Sequence, residues 1–344
     1  MQLELAGGDA ATEFLTATRL EPTLAEPWLR LGLLYEARAD MATAERSLLH
    51  AADIDHRLTP RFTLMNFYAR RAQPVAFWHW ARLAFERAYG DSSPLYDLCW
   101  QVAADPAEVY DKAIPRTHDL QRSYLAYLLS RGRLPAARQP ARDLLTHADA
   151  ADLGLLLDYC DRLIDTTPSE ALWVWNESCR RGLLPYQELH PDQAPAIVNP
   201  AFAIEPLQRA FDWYVPDVPA ISSTRLPGGG MQFALSGRQA EALEMIAQSL
   251  PVLPLKTYRV VIEYQTEAIA SPTGLTFAAE DRKGGHLLSD VALAPAEDGG
   301  RQSFLLQSSA SGLVTLRLRY RRPSGSVRAE GRVTVRSVRL ENAQ

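Results

Sequence analysis

Lysine is nearly missing from this chain: of 36 basic residues only three are Lys, and the rest are Arg. Beside so much Ala, that bias reads first as genome composition and only second as chemistry. Cysteine is scarce as well. Cys99, Cys160 and Cys179 are odd in number and widely spaced, which excludes a disulfide framework and a Cys-based zinc site. Each sits in an apolar helical setting, so all three are expected to be reduced, structural thiols. No run approaches the ~18 apolar residues of a membrane-spanning helix. The opening Met1-Gln2-Leu3-Glu4-Leu5 is short and acidic, unlike a signal peptide. Charge of one sign does not dominate. The chain carries a net −5, split as −7 over residues 1–198 and +2 over 199–344. A mildly acidic chain is a poor general nucleic-acid binder, because phosphate contacts need clustered cations. What is present is apolar residue in quantity: 344 residues at 47% hydrophobic exclude a disordered chain. The length suggests two domains at roughly 100–200 residues each.

The amino-terminal half repeats. The pattern Ala-x3-large-x2-small appears as Ala10/Phe14/Ala17, Ala44/Leu48/Ala51 and Ala81/Phe85/Ala88, with degenerate copies at Ala137/Ala141/Leu144 and Ala171/Trp175/Ser178. Upstream of Ala44 stand Trp28, Leu31, Gly32 and Tyr35 along one face of a first helix. The small residue lets a second helix pack closely, and Ala44, Leu48 and Ala51 form the matching face. This pairing resembles the tetratricopeptide repeat, with residues 25–58 as its best copy. Ala10, Phe14, Ala17 and Pro22 resemble the second half of a preceding repeat, which implies that the natural protein extends upstream. Residues 91–116 break the period.

The pattern places helices near 9–20, 24–38, 41–54, 59–71, 74–89, 94–103, 106–113, 117–131, 134–147, 150–164 and 168–181. Asp91-Ser92-Ser93-Pro94 and Thr166-Thr167-Pro168 read as helix starts with a Ser or Thr cap, and Gly132 reads as a terminator. Phe77, Trp80, Ala81 and Ala84 lie at helical spacing, so the aromatic run around His79 is read as core rather than ligand cage. Trp173 and Trp175 are read the same way.

Around residue 183 the character changes. Three prolines between 185 and 198 and little helical period mark a linker, 183–198. From Asn199 onward strands are expected. Tyr258, Val260, Ile262 and Tyr264, then Leu275, Phe277 and Ala279, then Leu316, Leu318 and Tyr320 alternate with polar residues. That period of two means a sheet with one face buried. The fold class is therefore multidomain: an all-α solenoid over 1–182 and an all-β sandwich over 199–344.

Ile246-Ala247-Gln248-Ser249-Leu250, running into Leu253-Pro254-Leu255-Lys256-Thr257-Tyr258, resembles a signature of jelly-roll carbohydrate-binding modules with a galactose-binding-like fold. Asn199-Pro200-Ala201-Phe202 resembles their opening strand, Phe211-Asp212-Trp213 their early tryptophan, and residues 333–341 their last strand. Such modules stack sugars on exposed aromatics. Here the strand aromatics share the phase of Val, Ile and Leu and are read as core, Trp213 included. The opposite phase offers Arg259, Glu263, Arg317, Arg319 and Arg321. Arg332 and Arg336 are expected on the neighbouring strand, facing the same way as the β-strand Arg317–Arg321. This arginine face is the candidate binding surface, and its expected partner is an acidic glycan or the acidic solenoid itself. Its bland alternative is a solvated strand face.

No catalytic constellation emerges. There is no H-E-x-x-H, no G-x-S-x-G and no phosphate-binding loop. Glu263 and Glu280, expected on neighbouring strands, are a carboxylate pair that any sheet supplies. No catalytic residue, metal site or cofactor is expected. The working reading is a non-enzymatic interaction scaffold that binds a protein partner through the solenoid and a glycan or protein through the sandwich. The combination resembles accessory proteins of bacterial exopolysaccharide or envelope assembly. The alternatives are a purely structural scaffold and a glycan-processing enzyme. The sequence leaves the compartment open: an upstream anchor would imply envelope or periplasm, and its absence cytoplasm.

Overall fold

A computed structural model describes residues 9–343, so the acidic opening lies outside the described residues. Contacts divide the chain into two compact units, Met1–His147 and Ala148–Gln344.

The first unit is helical: α1 Asp9–Leu20, α2 Ala25–Ala37, α3 Met41–Ile54, α4 Leu58–Arg70, α5 Pro74–Phe85, α6 Ser93–Val102, α7 Pro106–Glu108, α8 His118–Ser130 and α9 Leu134–Leu145. One π-turn, Val109–Ala113, continues α7 where a single helix was expected. Prolines open α5, α6, α7 and α9, where their missing N–H costs nothing. Gly132 ends α8 at φ 66°, with its N–H donated to the Leu129 carbonyl and that of Arg133 to Leu128. The expected hydroxyl caps do not form. Ser92 before α6 makes no side-chain cap; the Asp91 carboxylate takes the Ser93 N–H at 2.9 Å instead. The repeat motif packs as its spacing demands, because Leu31, Ala44, Leu48 and Ala51 are buried and Gly32 faces Leu48. Trp28 is half-buried, edge-on to His50 at 4.4 Å. Tyr35 is half-buried too.

The second unit opens with two helices, α10 Leu153–Ile164 and α11 Pro168–Arg180, and continues into nine strands. The helical-to-strand change in composition falls after Arg180, yet the compact unit already begins at Ala148. Thr167 before α11, like Ser92, makes no side-chain cap. The strands are β1 Ile221–Arg225, β2 Met231–Ser236, β3 Ala242–Pro251, β4 Thr257–Glu267, β5 Leu275–Asp281, β6 Leu287–Ala292, β7 Gly300–Gln307, β8 Leu313–Arg321 and β9 Glu330–Asn342. They form antiparallel sheets in the orders β1-β2-β9-β4-β7 and β3-β8-β5-β6. The inward phase is the expected one: Tyr258, Val260, Ile262, Tyr264, Phe277, Leu316, Leu318 and Tyr320 share one core with Trp213.

Strands start later than the sequence suggests. Asn199-Pro200-Ala201-Phe202 is not a strand, because Asn199 and Phe202 take φ 50° and 52°, incompatible with extended pairing. The stretch before β1 contributes one isolated bridge, Tyr214 to Ala247. Leu255 holds φ 56°, a left-handed conformation that favours glycine.

All three thiols are free and buried. Burial pushes those of Cys99 and Cys160 far above their ordinary value, and that of Cys179 up to about 12. At pH 8 the native protein should therefore resist alkylation by iodoacetamide, while the unfolded chain takes up three labels. Rapid labelling of the native state, or an intact-mass deficit for a disulfide, would contradict this.

Candidate functional site

The arginine face divides. Arg317, Arg319 and Arg321 alternate along β8, in the four-stranded sheet, while Arg332 and Arg336 lie on β9, and Arg259 and Glu263 on β4, in the five-stranded one. The chain between β8 and β9 crosses from one sheet to the other, so the outer faces carrying the two sets point apart. One surface with five guanidiniums does not exist. Glu263 and Glu280 are separated in the same way, on β4 and β5 of different sheets.

The charges are also largely neutralised in place. Arg317 pairs with Glu244, and with Glu280 at 3.0 Å; Arg319 pairs with Glu280 as well. Arg332 meets Glu267 at 3.1 Å, and Arg336 donates to the Gln265 amide oxygen at 2.8 Å. Arg339 and Ser337 hold Glu263, which keeps that carboxyl below its ordinary range. Among the described residues Arg259 and Arg321 make no ion pair, and both are exposed. Cross-strand pairing of this kind stabilises a sheet rather than attracting a ligand.

A different place gathers unsatisfied chemistry. Pairing sets Ala247 opposite Arg317 and Ser249 opposite Thr315, so these side chains share the outer face of the four-stranded sheet. Helix α10 and the segment carrying Arg209, Asp212 and Tyr214 stand over that face. Between them lies a cavity of about 280 Å³, whose wall includes Asp161, Asp212, Tyr214, Arg282, Thr315 and Arg317. The volume is near the lower end of ligand pockets, ~300–1,000 Å³, and suits a single small ring.

Two aspartates of α10 and the Asp165 that caps its C-terminal end hold this arrangement. Asp158, Asp161 and Asp165 follow a helical spacing that puts them on one stripe. Arg209 pairs with Asp158, and with Asp161 at 2.9 Å. Asp161 also accepts the Ala210 N–H at 2.6 Å. Arg282 reaches Asp165 at 2.6 Å and donates to the Ser249 hydroxyl at 2.8 Å. Each arginine on the wall is thus already engaged by carboxylate.

Four buried polar atoms of the lining residues have no hydrogen-bond partner: Asp212 Oδ1, Gln248 Oε1, Thr315 Oγ1 and Arg317 Nε, the last within ion-pair distance of Glu280. Asp212 and Thr315 are each only 2% exposed. Asp212 spends its other oxygen on the Tyr186 hydroxyl at 2.6 Å and the Leu207 N–H at 2.7 Å. Burial raises the Asp212 carboxyl above its ordinary range, against the opposing pull of donors from Tyr186, Leu207 and Trp213. Unpaired buried polar atoms are rare, and each asks for an explanation. Beside them Tyr214 is 49% exposed.

Sequence reasoning missed this site. The acidic stripe on α10 was visible as a spacing, but its partner Arg209 lies 48 residues from Asp161. The arginines that meet the acidic helices are Arg209 and Arg282, not those of the strand face. Trp213 is core as expected, 0% exposed with its ring N–H on the Asn199 carbonyl at 3.1 Å.

In the first unit, a cleft of about 620 Å³ opens at the turns between helices, lined by Leu24, Leu29, Ile54, Arg57, Leu58 and Tyr89 among others. His79 is exposed and Phe77 wholly buried, in line with a packing role for the aromatic run.

No protein-family model matches the chain. No curated protein matches its sequence. Among solved structures it is similar to a CBM4 domain at 9% identity, covering 43% of this chain and 100% of that one, with a TM-score of 0.34. It is similar to TmCBM61, solved in complex with β-1,4-galactotriose, at 16% identity over 42% of this chain and 96% of that one, TM-score 0.31. It is also similar to YrrB, a TPR protein with an unusual peptide-binding site, at 12% identity over 51% of this chain and 94% of that one, TM-score 0.26.

Proposed function

We propose that this protein is a non-catalytic recognition protein. Its β-sandwich binds a hydroxyl-rich ligand, one residue of a glycan, in the cavity beside α10, and its helical repeats take a protein partner. The observation that carries this is the cavity of about 280 Å³ over the outer face of the four-stranded sheet, lined by polar and charged side chains beside the half-exposed Tyr214. Polar side chains on the wall offer hydrogen bonds to sugar hydroxyls, and an apolar ring face suits the tyrosine. The resemblance to accessory proteins of exopolysaccharide or envelope assembly gives the setting in which a polysaccharide would be met.

Catalysis fits the site poorly. Glycoside hydrolysis uses two free carboxyl groups with separate roles. On this wall Asp161 and Glu244 are tied to arginines, which leaves Asp212 by itself. An acidic glycan on the strand arginines is disfavoured by their existing carboxylate partners.

Calorimetry of the full chain against neutral, acidic and amino monosaccharides and their oligomers tests the reading. Binding is expected, and Tyr214→Ala should weaken it about 3- to 10-fold, the loss of one aromatic contact. A chain that binds none of them is a structural scaffold with a hydrated cavity, and the reading is then wrong.

A further inference from the structure

The cavity beside α10 adjoins a second hollow. That hollow, about 320 Å³, shares Arg282 and Arg317 with the first as lining and adds Asp165 and Lys283. Each is the size of one small ring, so a single sugar in the first leaves the second open. Charge in the second hollow is uneven. The three arginines around it are balanced by three carboxylates: Arg282 pairs with Asp165, Arg317 with Glu244 and Glu280, and Arg319 with Glu280. Lys283 is left over. It is exposed, and it makes no ion pair among the described residues.

A tied-down loop presents this lysine. Lys283 sits in the turn between β5 and β6, whose root is Asp281, only 4% exposed. That carboxylate is spent inside the loop: it accepts the Ser309 hydroxyl, the Ser311 hydroxyl at 2.6 Å and the Gly284 N–H at 2.6 Å, with His286 Nδ1 at 3.9 Å. The main chain is held on both sides of Lys283. The Arg282 N–H donates to the Leu313 carbonyl at 3.1 Å, and the Gly285 N–H to the Asp281 carbonyl at 2.7 Å. The backbone is thus set before a ligand arrives, and only the lysine stem has to be ordered. Arg282 and Arg317 do not serve an anion equally well, because it would have to displace carboxylates they already hold. An ionised acceptor on Lys283 makes a stronger hydrogen bond than a sugar hydroxyl does.

Resting on the glycan reading above, we infer that the second hollow is a subsite for an acidic sugar. The site takes two adjacent residues of a glycan, one in the cavity beside Tyr214 and a neighbour whose carboxylate meets the Lys283 ammonium. Lys283 is the residue that sets the preference for acid.

Calorimetry on the full chain at low salt compares matched sugars: glucose with glucuronate, cellobiose with cellobiouronic acid, and α-1,4-galactobiose with α-1,4-digalacturonate. At least one acidic disaccharide is expected to bind about fivefold more tightly than its neutral counterpart, the upper range for an exposed ion pair, and added salt should shrink that gain. Lys283→Ala should erase the gain and Lys283→Arg restore it, with the neutral disaccharide unaffected by either. Arg321→Ala removes an exposed, unpaired charge from the end of β8 and should leave the gain intact. Equal binding of acidic and neutral disaccharides, or a gain that survives Lys283→Ala, would overturn the acidic subsite and leave the glycan reading standing. Glucuronate gaining as much over glucose as the acidic disaccharides gain over theirs would overturn the two-residue arrangement. Binding of none of the panel would overturn both the subsite and the glycan reading.

Discussion

Trp213→Ala is expected to destabilise the second unit by ~3–5 kcal/mol, the usual cost of removing a large buried aromatic. The ring is wholly buried, tilted against Phe202 at a centroid distance of 5.2 Å, and belongs to the same core as Tyr258, Phe277 and Leu316. Its N–H is the donor to the Asn199 carbonyl, so truncation also strands an acceptor at the point where the chain enters the sandwich. Asn199 sits there at φ 50°, a conformation its neighbours must hold in place. Denaturant unfolding checks the figure. A variant that keeps its midpoint but loses sugar affinity would make Trp213 a ligand platform, contrary to its burial.

Gly32→Leu is expected to cost ~1–3 kcal/mol by overpacking the α2–α3 crossing. A Cβ at this position would run into Leu48 and lie 3.3 Å from the Ala44 carbonyl, and both belong to the facing helix. The gain in helix propensity on leaving glycine, up to ~1 kcal/mol, offsets part of that cost but not the clash. Gly154 in α10 is the control, because a Cβ there meets nothing within 4 Å. Gly154→Ala should be neutral or slightly stabilising. If both variants melt with the parent, close approach at Gly32 is not what holds this repeat together.

The helices were legible to within a few residues at their ends, because the apolar period and the prolines at helix starts are local signals. The inward phase of the strands was legible for the same reason: Tyr258, Val260, Ile262 and Tyr264 declare one face by alternation alone. Partnership between strands was not. Arg317 and Arg332 are close in sequence and on different sheets, whereas Arg317 and Glu244 are far apart in sequence and paired. Register is decided by non-local pairing that no window of sequence contains. The site failed to show for a related reason. Asp212 looks like a spacer between Phe211 and Trp213, and only the fold sets it on a wall with Thr315 and Tyr214. The expected opening strand failed locally, since left-handed residues at Asn199 and Phe202 divert the chain.

The pairing of α10 with the sandwich bears on how the protein should be cut for study. Composition invites a fragment beginning at residue 199, a plausible sugar-binding module by itself. Such a fragment would lose Asp161 and Ile164 from the cavity and the carboxylates that neutralise Arg209 and Arg282. Thr315, Ala278 and Ser249, buried on the outer face of their sheet, would lose whatever cover the helices give them. A negative glycan array on that fragment would then report on the scissors rather than on the protein. The piece to express begins at Ala148, with the helix pair treated as part of the sandwich unit.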